Sequence, residues 1–212
     1  MDEADLPGND LVRTIGSTEL ADALVQIADA SLGATIASGL LDQVPLFGMV
    51  HSIYKAGRSI SERLALAKTH RFLIELSSIP KEERLAFSDE LFASGKADEF
   101  AARVFLLLDQ SDDFSKPQLI GRIVAAQVRG DCSVSECFML CSSVNRSHFD
   151  DLRRLKQFRD GVQNEPESAE RLFVAGLLTN RGIDGGGADE VQHPGGTIYH
   201  LSRLGQLLAP LV

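Results

Sequence analysis

Aromatic side chains are scarce in this chain, which has no tryptophan, two tyrosines and eleven phenylalanines among its 212 residues. A core would therefore consist mainly of Leu, Ile, Val, Ala and Phe. Long apolar runs are missing too, because no stretch reaches the roughly 18 apolar residues of a transmembrane helix. From Ala30 to Val50 the only charged residue is Asp42. Asp42, Gln43 and Pro45 interrupt that segment, so we do not expect a stable membrane span there.

Cysteine is also sparse, and Cys132, Cys137 and Cys141 lie close together. An odd count, with an acidic N-terminus unlike a secretory signal, predicts a cytoplasmic protein. Peripheral association with the inner membrane stays open. A zinc site made of these cysteines and His148 would lack the second close pair of ligands that structural zinc normally has. Buried cysteines on an apolar helix face are the simpler interpretation, and no metal or cofactor is predicted.

Catalytic motifs are missing as well. The sequence has no Gly-x-Ser-x-Gly elbow, no phosphate-binding Gly-x-x-x-x-Gly-Lys-Ser/Thr loop and no His-Glu-x-x-His pair. The run 185–187 is all glycine but has no lysine after it, so it indicates a flexible turn. His193 and His200 are interpreted as exposed loop histidines in preference to a metal or acid–base site. We therefore predict a protein that is not an enzyme.

The helical signals that are present predict a mainly α fold, a multi-helix bundle with a small winged-helix-like C-terminal module. Apolar periodicity predicts a first helix over about 18–32 and a long helix over 45–77. Starts and stops at Pro80, Gly95, Gly130 and Gly161 delimit short helices over 80–161, and Ser133 with Glu136 forms a capping box. Three divisions are predicted: a disordered leader over 1–16, a helical region over 17–161 and the C-terminal module over 162–212. The helical region comprises the apolar and basic stretch 34–72 and the bundle 80–161.

The stretch 34–72 is the least ordinary feature of the sequence. Residues 1–50 carry eight acids and one base, whereas residues 51–72 carry five bases and one acid. Such asymmetry is typical of an interaction surface, although a solvated helix face is the commoner cause. The candidate residues for contact with a membrane or a protein partner are Leu46, Phe47, Met49, Val50, Ile53, Lys55, Arg58, Arg63, Lys68 and Arg71. The alternative is a core helix whose basic face pairs with the acidic N-terminal segment.

The sequence shows three resemblances to known proteins. The pattern KPQLIGRIVAAQVRGDCSVSE over 116–136 is similar to the helical TerB module, but only Asp131 and Glu136 remain of its acidic metal-binding residues, so no metal site is carried over. The segments PLFGMVHSIYKAGRSISERL and FLIELSSIPKEERLAF look similar to uncharacterised bacterial helical proteins, a likeness that implies no activity.

The C-terminal stretch 166–212 carries the third likeness. A helix ending in AGLL, a glycine-rich loop and a Tyr-x-Leu-Ser-x-Leu-Gly-x-x-Leu segment resemble the wing half of winged-helix domains. The matching residues are Ala175, Gly176, Leu177, Leu178, Tyr199, Leu201, Ser202, Leu204, Gly205 and Leu208. That resemblance implies DNA binding through basic residues of the preceding helices. The candidates are Arg153, Arg154, Lys156 and Arg159, although 151–212 carry seven bases against eight acids.

Two hypotheses follow from the sequence. The first is a non-enzymatic helical protein that engages a membrane or a protein partner through residues 34–72, in bacterial stress response or phage defence. The second is a DNA-binding transcriptional regulator that uses the winged-helix-like module. The ligand or partner is not specified by the sequence, and a homo-oligomer is a further option that it leaves open.

Overall fold

The structure, a computed structural model, describes residues 7–31, 60–160, 166–186 and 195–212. Within these ranges the chain is mainly helical, with one two-stranded antiparallel sheet near the C-terminus, which confirms the predicted fold class. The chain divides into two compact units, an N-terminal unit of Met1–Asp131 and a C-terminal unit of Cys132–Val212.

The N-terminal unit contains six described helices. They are α1 (Pro7–Gly16), α2 (Leu20–Ser31), α3 (Ile60–Ser77), α4 (Lys81–Ala93), α5 (Ala97–Asp109) and α6 (Ser115–Val128). The long helix α3 packs mainly against α6, while α1 packs on α4 and α5. Buried Phe72, Leu73 and Leu76 of α3 and buried Ile120 and Ile123 of α6 form much of this core.

Helix α1 contradicts the predicted disordered leader over 7–16, the part of the leader that the structure describes. Leu11, Val12 and Ile15 are completely buried, so this short helix belongs to the core. The buried Arg84 of α4 donates from Nη1 to the carbonyl oxygens of Ile15 at 2.6 Å and Ser17 at 2.8 Å. A cation at a helix C-terminus satisfies carbonyls that have no partner within the helix and opposes the negative end of the helix dipole. Contacts from distant residues therefore hold α1, and its own sequence gives little sign of them.

The next helices lie where their starts and stops predict. Helix α4 follows Pro80, and the backbone after it turns at Gly95, whose φ is 66°. The predicted helix over 97–109 is α5, and the helix that begins at Ser115 ends before Gly130, whose φ is 80°. The single helix predicted over 18–32 is in fact preceded by the separate α1. Only 60–77 of the long helix predicted over 45–77 falls within the described residues.

The C-terminal unit contains the remaining elements. They are α7 (Val134–Arg146), α8 (Phe149–Arg153), a 3₁₀ segment (Leu155–Asp160), α9 (Pro166–Val174), β1 (Leu178–Asp184), β2 (Gly196–Leu201), α10 (Arg203–Leu208) and a final 3₁₀ turn (Ala209–Leu211). The strands pair with Leu178 opposite Leu201 and Thr179 opposite His200. Helix α10 packs on α7 and on β2, and β2 also contacts the 3₁₀ segment.

Two helix starts in this unit differ in how they are capped. Ser133 and Glu136 form the predicted capping box of α7. Ser147 does not cap α8, because its hydroxyl donates to the carbonyl oxygen of Ser143 at 2.8 Å and His148 occupies the N-cap position. Helix α8 ends at Arg153, before the stop predicted at Gly161, and the 3₁₀ segment follows it.

The helix predicted to end in AGLL ends earlier, at Val174. Gly176 takes a φ of 82°, and the amide of Leu177 donates to the carbonyl oxygen of Leu172 at 2.9 Å. This backbone turn closes a helix and favours glycine, which has no Cβ to clash at positive φ. The AGLL residues therefore lead out of the helix and into β1.

The division of the chain also differs from the predicted boundary between 161 and 162. Helices α7 and α8 belong to the C-terminal unit. Contacts of α10 with α7, and of α8 with α9, join them to the hairpin. These contacts link residues far apart in the sequence, and local helix signals carry no information about them.

Candidate interaction surface

Helix α3 has a buried face and an outer face. Thr69, Phe72, Leu73 and Leu76 turn inward. The opposite side presents side chains at the spacing of three and four residues that places them on one helical stripe. We call this stripe the α3 outer face, and its members are Ile60, Leu64, Ala67, Arg71 and Ile74.

Three apolar side chains of the α3 outer face are uncovered. Ile60 is 78% exposed, Leu64 41% and Ile74 42%. A single exposed leucine needs no explanation, but apolar residues repeated along one face are typical of contact surfaces. The sequence placed the candidate surface in 34–72, but of the α3 outer face only Arg71 was among the predicted contact residues. Ile60 and Leu64 lie within that stretch without having been predicted as contacts, and Ile74 lies beyond it.

Lys68 and Arg71 of α3 are engaged by the N-terminal unit itself. The Nζ atom of Lys68 donates to the carbonyl oxygen of Asp109 at 2.9 Å. Arg71 donates from Nη1 to the carbonyl oxygen of Phe114 at 3.2 Å, and its guanidinium lies 5.1 Å from the centre of the Phe114 ring. A guanidinium over an aromatic face is attracted by the ring quadrupole. Both predicted contact bases therefore attach α3 to the end of α5 and the loop before α6.

The other predicted contact residues are not placed. Leu46, Phe47, Met49, Val50, Ile53, Lys55 and Arg58 lie outside the described residues, and Arg63 lies in α3 with its side chain outside them. Among the described helices, none is both long enough and apolar enough to cross a membrane.

The candidate DNA-contacting bases of the C-terminal unit are also partly engaged. Arg154 donates from Nη1 to the hydroxyl oxygen of Ser168 at 3.3 Å, and Lys156 donates to the backbone oxygen of Val212 at 2.8 Å. Arg153 is exposed on α8. Arg159 lies in the 3₁₀ segment with its side chain outside the described residues. The four bases therefore do not all project from one free helix face.

A buried carboxylate that the sequence does not reveal joins α8 to α9. Asp151 of α8 is only 3% exposed. Arg171 of α9 donates to its two carboxylate oxygens at 2.7 Å and 2.9 Å, and the hydroxyl of Ser168 donates to it at 2.8 Å. The hydrogen bond from Arg171 is the main reason that the pKa of Asp151 lies below its usual value. Nothing in the local sequence marks the pair, since its members lie 20 residues apart.

The three cysteines are buried, as their apolar spacing predicts. The pKa of the Cys141 thiol lies well above its ordinary value, mainly because of a hydrogen bond with Cys137 and secondly because the thiol is buried. The Cys141 thiol is therefore protonated at neutral pH, which suits packing more than metal ligation. Within the described ranges, no three side chains of the histidine, cysteine and carboxylate types are grouped closely enough to hold a metal ion.

Comparisons with protein-family models, with curated proteins and with solved structures found no match to this chain.

Proposed function

We propose that this protein is a non-enzymatic binding protein that engages a partner through its N-terminal helices, with the α3 outer face as part of the contact. The exposure of Ile60, Leu64 and Ile74 along one stripe carries the proposal. Burying such side chains against a partner contributes about 25 cal/mol for each Å² of apolar surface removed from water.

A protein partner fits this surface better than an anionic membrane. Binding to anionic lipid relies on bases that are free to approach headgroups. Lys68 and Arg71 already donate to backbone carbonyls of their own unit. What the stripe offers outward is therefore mainly apolar, as in surfaces that receive the apolar face of a helix.

The experiment compares Leu64→Asp and Ile74→Asp with the control Val134→Asp. Val134 is 54% exposed and opens α7, where an acidic residue in the first turn is well tolerated. The measurement is the size of the complex that contains the full-length protein in extracts of its own cells, by sedimentation. We expect both α3 variants to sediment as the free chain and the control to match the wild type. Equal behaviour of all three variants would refute the proposal.

Co-sedimentation of the purified proteins with vesicles tests the membrane form. The account expects no binding to neutral or to anionic vesicles. Binding of the wild type that is lost in Leu64→Asp would identify a membrane surface as the target instead of a protein.

DNA binding by the C-terminal unit is the second candidate function. It is favoured by the order of α9, an antiparallel hairpin and α10, and by the exposed Arg153 and Arg181. Salt-sensitive binding to a short duplex, lost on Arg153→Glu, would support it. Binding that is absent at low salt would exclude it.

A further inference from the structure

A cleft of about 250 Å³ lies in the C-terminal unit where the hairpin meets α10. Its lining includes Arg181 of β1, His200 and Leu201 of β2, and Gln206 of α10. Three of these four side chains carry N–H groups, and none of the four is acidic. The cleft shares Arg181 with the second candidate function, but its lining includes none of the bases Arg153, Arg154, Lys156 and Arg159.

Arg181 and His200 lie on the two strands of the hairpin, and both line the cleft. Thr179 is opposite His200 in the antiparallel register, and Arg181 follows Thr179 by two positions. The ladder becomes irregular after Asn180, at the turn of chain that contains Arg181.

Backbone contacts fix the third side of the cleft. Ser202 caps α10, and its hydroxyl also donates to the carbonyl oxygen of Gly176 at 2.8 Å. The amide of Ser202 donates to the carbonyl oxygen of Leu177 at 3.0 Å. A Cβ on Gly205 would overlap that same carbonyl oxygen, so glycine allows α10 to lie directly on the start of β1. Gln206 is therefore held beside the hairpin.

The donors of the cleft are not used within the described part of the chain. Arg171 and Arg154 are bonded to Asp151 and Ser168. By contrast, no hydrogen bond or ion pair joins the side chains of Arg181, His200 or Gln206 to another described residue. A cleft that gathers unused N–H donors, with no carboxylate among the lining residues named, is suited to an anion.

We propose that this cleft binds the phosphate group of a small ligand. The planar fork of an arginine matches two phosphate oxygens at once, and imidazole and amide N–H groups supply the remaining donors. Clefts that hold drug-sized ligands measure about 300–1,000 Å³. The volume here therefore suits a small phosphorylated molecule and not a dinucleotide.

The test is titration of the full chain with inorganic phosphate and with a mononucleotide. Calorimetry measures the affinity, and the amide chemical shifts of the hairpin residues report where the ligand binds. Arg181 is exposed, so Arg181→Gln should leave the fold intact while it weakens binding by about tenfold or more. Gln206→Ala, also at an exposed position, should weaken it less. The control Arg153→Gln removes the same charge from the same unit and should bind as the wild type does.

Three results would overturn the proposal. They are no saturable binding of phosphate or mononucleotide at millimolar concentration, equal weakening by Arg181→Gln and Arg153→Gln, and binding of a DNA duplex at the hairpin without binding of either small ligand. The last result would assign the cleft to the phosphate backbone of a nucleic acid. This test is independent of the proposed function. If the α3 variants did not change the size of the complex, the phosphate titration would still decide whether the cleft binds an anion.

Discussion

Each unit buries a charged group at a junction between helices, but the two junctions are satisfied differently. In the N-terminal unit, Arg84 is surrounded by the carbonyl oxygens of Ile15, Ser17 and Ile79. In the C-terminal unit, Asp151 is paired with Arg171 and also accepts from Ser168. Backbone dipoles stabilise the first charge, whereas an opposite charge stabilises the second.

The difference extends to the surfaces that each unit presents. The N-terminal unit turns Lys68 and Arg71 toward its own carbonyls and leaves Ile60, Leu64 and Ile74 outside. The C-terminal unit engages Arg154 and Arg171 but leaves Arg181 beside an open cleft. The number of bases in a segment therefore does not determine its surface chemistry, because the acceptors nearby decide which bases remain available.

The largest effect is expected when the Arg84 junction is broken. Arg84→Met keeps an apolar stem but leaves three carbonyl oxygens without their donor. The free energy of unfolding should therefore fall by about 2–4 kcal/mol. Denaturant unfolding of the full chain measures this change. The control Arg103→Met, at an exposed pair with Glu99, should cost about 0.5 kcal/mol or less. Similar losses in both variants would mean that α1 does not depend on Arg84.

A smaller, pH-dependent effect is expected at the other junction. At neutral pH, Asp151→Asn should destabilise the protein by about 1–3 kcal/mol, because it removes the acceptor charge for Arg171. The pKa of Asp151 is lowered in the folded protein, chiefly by Arg171, from its ordinary value of 3.8. The stabilisation is therefore present above that pH and is lost as the pH falls through the folded pKa.

Unfolding measured against pH tests this prediction. The difference between wild type and Asp151→Asn should shrink below about pH 4. The exposed neighbour Asp150 provides the matched control Asp150→Asn, which should show no comparable difference. A difference in stability between wild type and Asp151→Asn that stays constant down to the lowest pH would show that the charge of Asp151 does not stabilise the fold.

The smallest effect is expected at His70, half-buried on α3. Burial lowers its pKa below the ordinary 6.5, Arg71 adds to that lowering, and the contact of Nε2 with the carbonyl oxygen of Leu24 opposes it. Because the fold favours the neutral ring, stability should be full above about pH 6.5 and fall as the ring becomes protonated below it. His70→Gln cannot titrate and should reduce the loss of stability between about pH 7 and pH 5. If stability falls as steeply with pH in His70→Gln as in the wild type, His70 is not the group responsible.

What the sequence predicts correctly depends on the range of each signal. Helices α4 to α7 have local starts and stops, such as Pro80, Gly95 and the Ser133–Glu136 box, and their positions are confirmed. The predicted leader was wrong over 7–16, where Leu11, Val12 and Ile15 lie at helical spacing and are buried. The contact of Arg84 with this helix spans 69 residues of chain, so local sequence signals do not show it. Lys68 looked free for the same reason, since its acceptor at Asp109 lies 41 residues away.

The most direct test of the account places a photo-crosslinking amino acid at position 64 of the full-length protein in its own cells, with position 134 as the control. Mass spectrometry of the product distinguishes a protein adduct from a lipid adduct. The account predicts a discrete protein adduct at 64 that does not form at 134 and that disappears with Ile74→Asp. Lipid adducts at 64, or the same products at both positions, would contradict the claim that the α3 outer face receives a protein partner.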